Sequence, residues 1–162
     1  MAPDGRQVRP TTDRVREAVF NSLVSLDVVV GAQVLDLFAG SGALGIEALS
    51  RGAAHATFVE RDPAVRRIIE QNLASTGLAE QATVVADTAE HFVGEVADRP
   101  AADLALLDPP YDYDGWPALL GALRATTVVI ESDRTIELPP DWGVVRAKGY
   151  GSTLVVIARS PF

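Results

Sequence analysis

The chain has 162 residues, a length at which one core buries roughly 68–70% of the surface an unfolded chain exposes. Hydrophobic residues make up 48% and charged residues 22%, the balance of ordinary folded proteins, which excludes a disordered or fibrous chain. There is no cysteine, which excludes a disulfide scaffold, a thiolate metal site and a cysteine nucleophile. No run approaches the ~18 apolar residues of a membrane span, and the polar start MAPDGRQVRPTTDR lacks the apolar segment of a signal peptide. The expected location is the cytoplasm.

The net charge is −8, so the molecule as a whole repels phosphate backbones, and any nucleic-acid contact has to come from a local basic face. Of the fourteen basic residues only Lys148 is a lysine. Arginine-rich usage of this kind is ordinary in a GC-rich genome. Positive charge here nonetheless comes as the planar fork suited to bidentate contacts.

In chain order, Thr11 or Thr12 can cap a helix over 11–26 carrying Val15, Ala18, Val19, Leu23 and Leu26 on one face, with Asp13 in its first turn. Gly31 then breaks the chain before the apolar strand QVLDLFA. Helices are predicted over Ala43–Arg51, Pro63–Ser75 and Thr88–Ala97, with strands HATFVE, ATVVAD and ADLALLD between and after them. The last third offers a helix near Pro117–Arg124, the strand TTVVIES, and a hairpin from Trp142–Lys148 to Thr153–Arg159 around Gly149, Tyr150 and Gly151. Near-continuous apolar strands alternating with helices indicate an α/β domain: a mostly parallel sheet covered on both faces, closed by an antiparallel hairpin. No repeat or linker divides residues 1–162. In such sheets ligands sit beyond the carboxyl ends of the strands, where the strand order switches.

The first strand runs through Asp36, Leu37 and Phe38 into Ala39, Gly40, Ser41 and Gly42, and then a helix containing Gly45. Glycines 40, 42 and 45 form G-x-G-x-x-G between strand and helix, the context that gives this pattern meaning. Gly40 permits a tight turn, Gly42 lets a ligand approach the backbone, and Gly45 allows helix and strand to pack closely. Glycine turns after strands are common, so the loop alone decides little. Glu60 ends the second strand twenty residues after Gly40, placed to accept from two ribose hydroxyls. Asp87 ends the third, placed to accept from an adenine amine, although an acid there also serves as a helix cap. Three consecutive strand ends carrying loop, acid and acid point to an adenosine-type ligand. Asp36 lies in an apolar run where a carboxylate is costly without a cationic partner. The α-amino group of S-adenosylmethionine supplies one, so Asp36 favours that ligand over a nicotinamide dinucleotide.

The fourth strand ends in Asp108-Pro109-Pro110-Tyr111. Two prolines stiffen the backbone and remove two amide donors, leaving carbonyl acceptors beside a carboxylate and an aromatic face. Such an array accepts hydrogen bonds from a planar amine while Tyr111 stacks on the ring that bears it. Asp108 and the Pro109 carbonyl favour a pyramidal nitrogen whose lone pair can attack a methyl group in line, and Asp108 is the nearest acceptor for the departing proton. The plainer alternative is a strand stop with an Asx-type turn.

Together these residues resemble the amino-methylating class I methyltransferases, whose [NDS]-P-P-[YFW] motif follows the fourth strand. RPTTDRVREAVFNSL, VLDLFAGSGALGIEALSRGA and LLDPPY, in that order, resemble the RsmD-type bacterial 16S rRNA (guanine-N2) methyltransferases over nearly the whole chain. The resemblance implies a Rossmann-like fold with a seven-stranded sheet. It implies S-adenosylmethionine, leaving as S-adenosylhomocysteine, bound by Asp36, Leu37, Phe38, Ala39, Gly40, Ser41 and Gly42. Glu60 would meet the ribose and Asp87 the adenine, with the adjacent Arg61 and Thr88 also at the cofactor. Asp108, Pro109, Pro110 and Tyr111 would hold the target guanine of 16S rRNA in an assembled small-subunit particle. The protein is expected to act as a monomer, without a metal and away from membranes.

Members of that family begin with an arginine- and glycine-rich hairpin ahead of R-P-T-T-D, of which Gly5 and Arg6 are the counterpart here. Residues 1–10 are therefore expected to be a residual basic arm, from a short variant or a truncated chain. Arg6, Arg9, Arg14 and Arg16, diluted by Asp4, Asp13 and Glu17, form the positive cluster; Arg9 and Arg14 are the expected RNA contacts, against the ordinary alternative of a solvated helix face. His55 and His91 show no partner spacing, and Asp112 with Asp114 is a weak metal signal. Tyr113 and Trp116 are expected as lid or packing residues, Phe20 and Trp142 as core, and Ser41 is no nucleophile elbow. Two other functions fit the same loop: a nicotinamide-dependent oxidoreductase, which leaves Asp108–Tyr111 without a task, and a non-catalytic RNA-assembly factor.

Overall fold

The computed structural model describes residues 10–95 and 99–162. Helix α1 covers Pro10–Ser25, one residue earlier at each end than the pattern predicts, so Thr11 and Thr12 fall inside the helix. Their side chains, like Arg6 and Arg9, lie outside the described residues. Val15, Val19, Phe20 and Leu23 form the buried stripe of α1.

Seven strands follow the predicted order: β1 Gln33–Leu37, β2 His55–Val59, β3 Ala82–Val85, β4 Ala102–Leu107, β5 Ala125–Ser132, β6 Gly143–Tyr150 and β7 Thr153–Arg159. Helices α2 (Ala43–Ser50), α3 (Pro63–Thr76), α4 (Ala89–Gly94) and α5 (Trp116–Ala122), with a 3₁₀ turn at Ala79–Gln81, connect them. The spatial order is β3-β2-β1-β4-β5-β7-β6. The first five strands in that order run parallel, and β7 runs antiparallel to both β5 and β6. The switch in strand order falls between β1 and β4, where an open parallel sheet places its ligand crevice.

Side-chain alternation divides the core in two. Val34, Leu104, Leu106 and Val129 pack with Val19, Phe20 and Leu23 of α1, Ala48 and Leu49 of α2, and Ile69 and Leu73 of α3. Leu37, Ala105, Leu107, Val128 and Ile130 face the other way, against Phe92 of α4 and Trp116, Leu119 and Leu120 of α5. Each fully buried Leu, Ile or Phe contributes roughly 1.5–3 kcal/mol relative to exposure. Phe20 is core as expected, whereas Trp142 is half-buried at the margin of the second cluster.

Local chemistry sets the element ends. Asp62 caps α3, accepting from the Ala64 amide at 2.9 Å, Pro63 fills the first turn, and Gly77 closes the helix at φ 72°. Helix α4 is shorter than predicted, with Thr88 as N-cap and Gly94 its last residue; Ala97, the predicted end, lies outside the described residues. Gly45 packs against β2: a β-carbon there would lie 2.4 Å from the Phe58 ring, which is itself fully buried and has no room to yield.

Candidate active site

Parallel register brings the predicted residues to one end of the sheet. Asp36 lies beside Leu106 across β1 and β4, and Leu107 pairs with Ile130 across β4 and β5, so the residues that follow, Asp108 and Glu131, are neighbours. By alternation Asp36, Asp108 and Glu131 all face the side of the sheet covered by α1. Beyond these strand ends opens a cleft of about 730 Å³, lined among others by Phe38, Glu60, Arg61, Asp87, Thr88, Asp108, Pro109, Pro110, Tyr111 and Glu131.

The glycine turn sits behind this lining. Gly40 and Gly42 adopt φ of 56° and 82°, where a β-carbon is strained. The Gly40 amide donates to Glu60 Oε1 at 3.2 Å, and the Asp62 amide to Oε2 at 3.1 Å. Each carboxylate oxygen keeps a second lone pair, so Glu60 is oriented without losing its capacity for a pair of hydroxyl donors. The Ser41 carbonyl accepts from Asn72 Nδ2 at 2.9 Å, tying the turn to α3. Phe38 also takes a left-handed φ of 60°, uncommon for a bulky residue. Its ring meets Tyr113 edge-on at 5.0 Å, and Tyr113 meets Trp116 at 5.3 Å, an aromatic wall for one side of the cleft. Tyr113 thus lines the cleft, while Trp116 belongs to the core.

Asp36 is 1% exposed and does not line the cleft; its Oδ2 accepts from the Gly45 amide at 2.9 Å. Gly42, at the N-cap of α2, has no side chain to offer, so a carboxyl from β1 satisfies an orphan amide of the first turn. Burial pushes Asp36 well above the ordinary carboxylate range; the Gly45 hydrogen bond opposes this, and the charges of Asp108 and Glu60 add to it. A cation brought to this end of the sheet would favour its ionised form.

Asp87 accepts from the Thr88 amide at 2.8 Å and pairs with His91 Nδ1 at 2.8 Å. His91, without a partner by sequence spacing, therefore has one: the two residues bracket the N-cap of α4, four positions apart. The contact lowers the Asp87 pKa and raises that of His91. His55 bonds to Thr83 Oγ1 at 2.8 Å across β2 and β3. Among the described residues, no group of three or more His, Cys, Asp or Glu side chains is placed to hold a metal ion.

The turn after β4 is braced from both sides. The Tyr113 amide donates to the Pro110 carbonyl at 2.9 Å, closing the turn. The Tyr111 hydroxyl bonds to Thr153 Oγ1 of β7 at 2.8 Å. Arg134 donates to the carbonyls of Tyr111 at 2.7 Å and Tyr113 at 2.6 Å. Thr153 and Arg134 carry no motif, and only the fold reveals their part in fixing the Tyr111 segment. Arg14 is exposed on α1 and does not line the cleft, while Arg16 pairs with Asp13 at 3.1 Å and Glu47 at 3.9 Å.

Glu131 is the residue that motif reading missed. It is 9% exposed, and the register of β4 with β5 sets it beside Asp108 on the same face of the sheet. Burial first, then the charges of Asp108 and Asp36, push its pKa up to about 8, with Arg16 pulling the other way. The signal was present as the single acid in TTVVIES, legible once β5 is aligned with β4.

A doubly wound sheet of this order, with a glycine turn after β1 and Asp-Pro-Pro-Tyr after β4, has the architecture of a class I methyltransferase. Ribosomal RNA small subunit methyltransferase D of Escherichia coli K12 is 40% identical over 161 residues, covering 92% of this chain and 78% of that protein. The Haemophilus influenzae protein of the same name is 33% identical over 154 residues, covering 89% and 79%. Among solved structures, Escherichia coli yhhF superposes with a TM-score of 0.84 at 36% identity, covering 99% of this chain and 90% of that one. A family profile described as conserved hypothetical protein 95 matches residues 1–159. The chain belongs to that family, the RsmD family of methyltransferases.

Proposed function

We propose that this protein transfers a methyl group from S-adenosylmethionine to the exocyclic N2 amine of a guanine in 16S rRNA, acting as a cytoplasmic monomer on an assembled small-subunit particle. The observation that carries the reading is the position of Asp108–Tyr111 at the strand-order switch, on one cleft with Glu60 and Asp87. The choice of rRNA and of the guanine amine rests on the family relationship.

The cleft residues fit this cofactor better than a dinucleotide. Among the described residues, Glu60, Asp87, Glu90, Asp108 and Glu131 line the cleft with Arg61 as the one basic lining residue, a field that attracts a sulfonium and repels a pyrophosphate. Phe38 would meet the cofactor inside the cleft, with Asp36, Leu37, Ala39, Gly40, Ser41 and Gly42 backing it from behind the lining, Glu60 and Arg61 on the ribose side, and Asp87 and Thr88 on the adenine side. When bound, S-adenosylmethionine supplies an electrophilic methyl carbon.

The remaining work falls to the chain. A guanine amine is reachable only with its base out of the stack, and Tyr111 gives that base an aromatic face. The Thr153 and Arg134 contacts fix the Tyr111 segment before substrate arrives, so no ordering cost is left for the bound state. Asp108 and the Pro109 carbonyl would be the acceptors for the two amine hydrogens. Arg14 and the arm carrying Arg9 would supply phosphate contacts that the acidic surface otherwise lacks.

Ligand linkage tests the cofactor assignment. S-adenosylmethionine at 100 times its Kd should stabilise the fold by about 2.7 kcal/mol, while NAD at the same concentration leaves the melting temperature where it was. A shift with NAD and none with S-adenosylmethionine would reverse the assignment.

A further inference from the structure

Asp108 does not stand alone at the end of β4. Glu131 lies beside it on β5, Asp36 bears on both from β1, and among the described residues Arg16 of α1 is a positive charge that bears on Glu131. On the β7 side are the hydroxyls of Thr153 and Tyr111, which bond to one another. Two carboxyls on adjacent strand ends, lining one cleft with Glu131 only 9% exposed, are costly to ionise together, so the pair holds a proton between its members.

We propose that Glu131 is a positioning residue for methyl transfer: it keeps the shared proton and donates it in a hydrogen bond to Asp108, which stays an ionised acceptor aimed at the substrate amine. Burial and its acidic neighbours, which push Glu131 up to about 8, are the reason the proton rests there. As the new C–N bond forms and the C–S bond breaks, the nitrogen lone pair is consumed and an aminium results. One N–H bond then breaks, its electron pair returns to nitrogen, and the proton passes to Asp108. The pair now carries two protons and no charge, and returning one to water restores it. This deepens the proposed methyl transfer and rests on it.

The tests are Glu131→Gln, which keeps a donor toward Asp108 but cannot ionise, and Glu131→Leu, which removes it. Glu131→Gln should hold kcat within about threefold near neutral pH and lose the decline in rate above about pH 8 that is expected of the wild type. Glu131→Leu should lose roughly 10²-fold in kcat with little change in KM for RNA. A second readout needs no activity. A native state that keeps a proton the unfolded chain has lost is progressively destabilised as pH rises from 4.5 to about 8. The ligand-free wild type should therefore show a melting temperature falling across that window, and Glu131→Gln should flatten the fall. An unchanged slope in Glu131→Gln, wild-type rates in Glu131→Leu, or a Glu131→Gln as inactive as Glu131→Leu would each overturn the proposal. An inactive wild type with the slope intact would instead count against the methyl-transfer reading while leaving the shared proton standing.

Discussion

Asp108→Ala should lose about 10²–10⁴-fold in methyl transfer, the range for removing a positioned acid–base group, with its affinity for S-adenosylmethionine close to that of the wild type. The split follows from position. Asp108 stands at the switch between β1 and β4, where the proposed mechanism would have it face the substrate amine, while Glu60 and Asp87, on other strand ends of the same cleft, would hold the cofactor. Asp108→Asn is the sharper comparison: it keeps the volume and an oxygen toward the amine but lacks the charge that takes the proton. Nucleoside analysis of treated small-subunit RNA reads the loss, and calorimetry reads the retained binding. A variant that methylates at the wild-type rate would remove Asp108 from the mechanism. Lost methylation with normal subunit maturation would separate the enzyme from an assembly factor on the same fold.

Asp36→Asn should weaken S-adenosylmethionine binding by roughly 30-fold or more, taking about 2 kcal/mol as the lower bound for a lost buried charge partner, with little change in stability. The asparagine oxygen can still accept from the Gly45 amide, so the cap on α2 survives. What disappears is the carboxylate. Because burial holds Asp36 protonated well above the usual range, a cation that ionises it must release a proton. Wild-type affinity should consequently rise with pH as Asp36 ionises. Binding heats measured in buffers of different ionisation enthalpy should show a proton released by the wild type and none by the variant. Equal affinity in both proteins would mean that Asp36 serves α2 alone.

The fold was legible because its signals are local: apolar runs for β1 to β5, glycine and proline at the element ends, and a hairpin around Gly149–Gly151. The acids at the ends of β1, β2, β3 and β4 were legible for a related reason, since parallel strands carry their carboxyl ends to one edge and each acid closes its own run. Glu131 obeys the same rule but sits inside a strand that carries no motif, and only the register of β4 with β5 sets it against Asp108. The Thr153 and Arg134 contacts join residues 42 and 23 positions away from Tyr111, a separation no local pattern encodes. Phe38 at positive φ runs against its own residue preference, and such strain shows only in three dimensions. His91 was passed over because its partner, Asp87, lies on the far side of the N-cap of α4 rather than within the helix.

Mass spectrometry of nucleosides from 16S rRNA, in small-subunit particles incubated with S-adenosylmethionine with and without the protein, addresses the chemistry most directly. The expected result is added N2-methylguanosine at one position, dependent on the protein. Methylation confined to an adenine or cytosine amine would contradict the assigned base, and no added methyl group on any base would contradict methyl transfer to this RNA altogether.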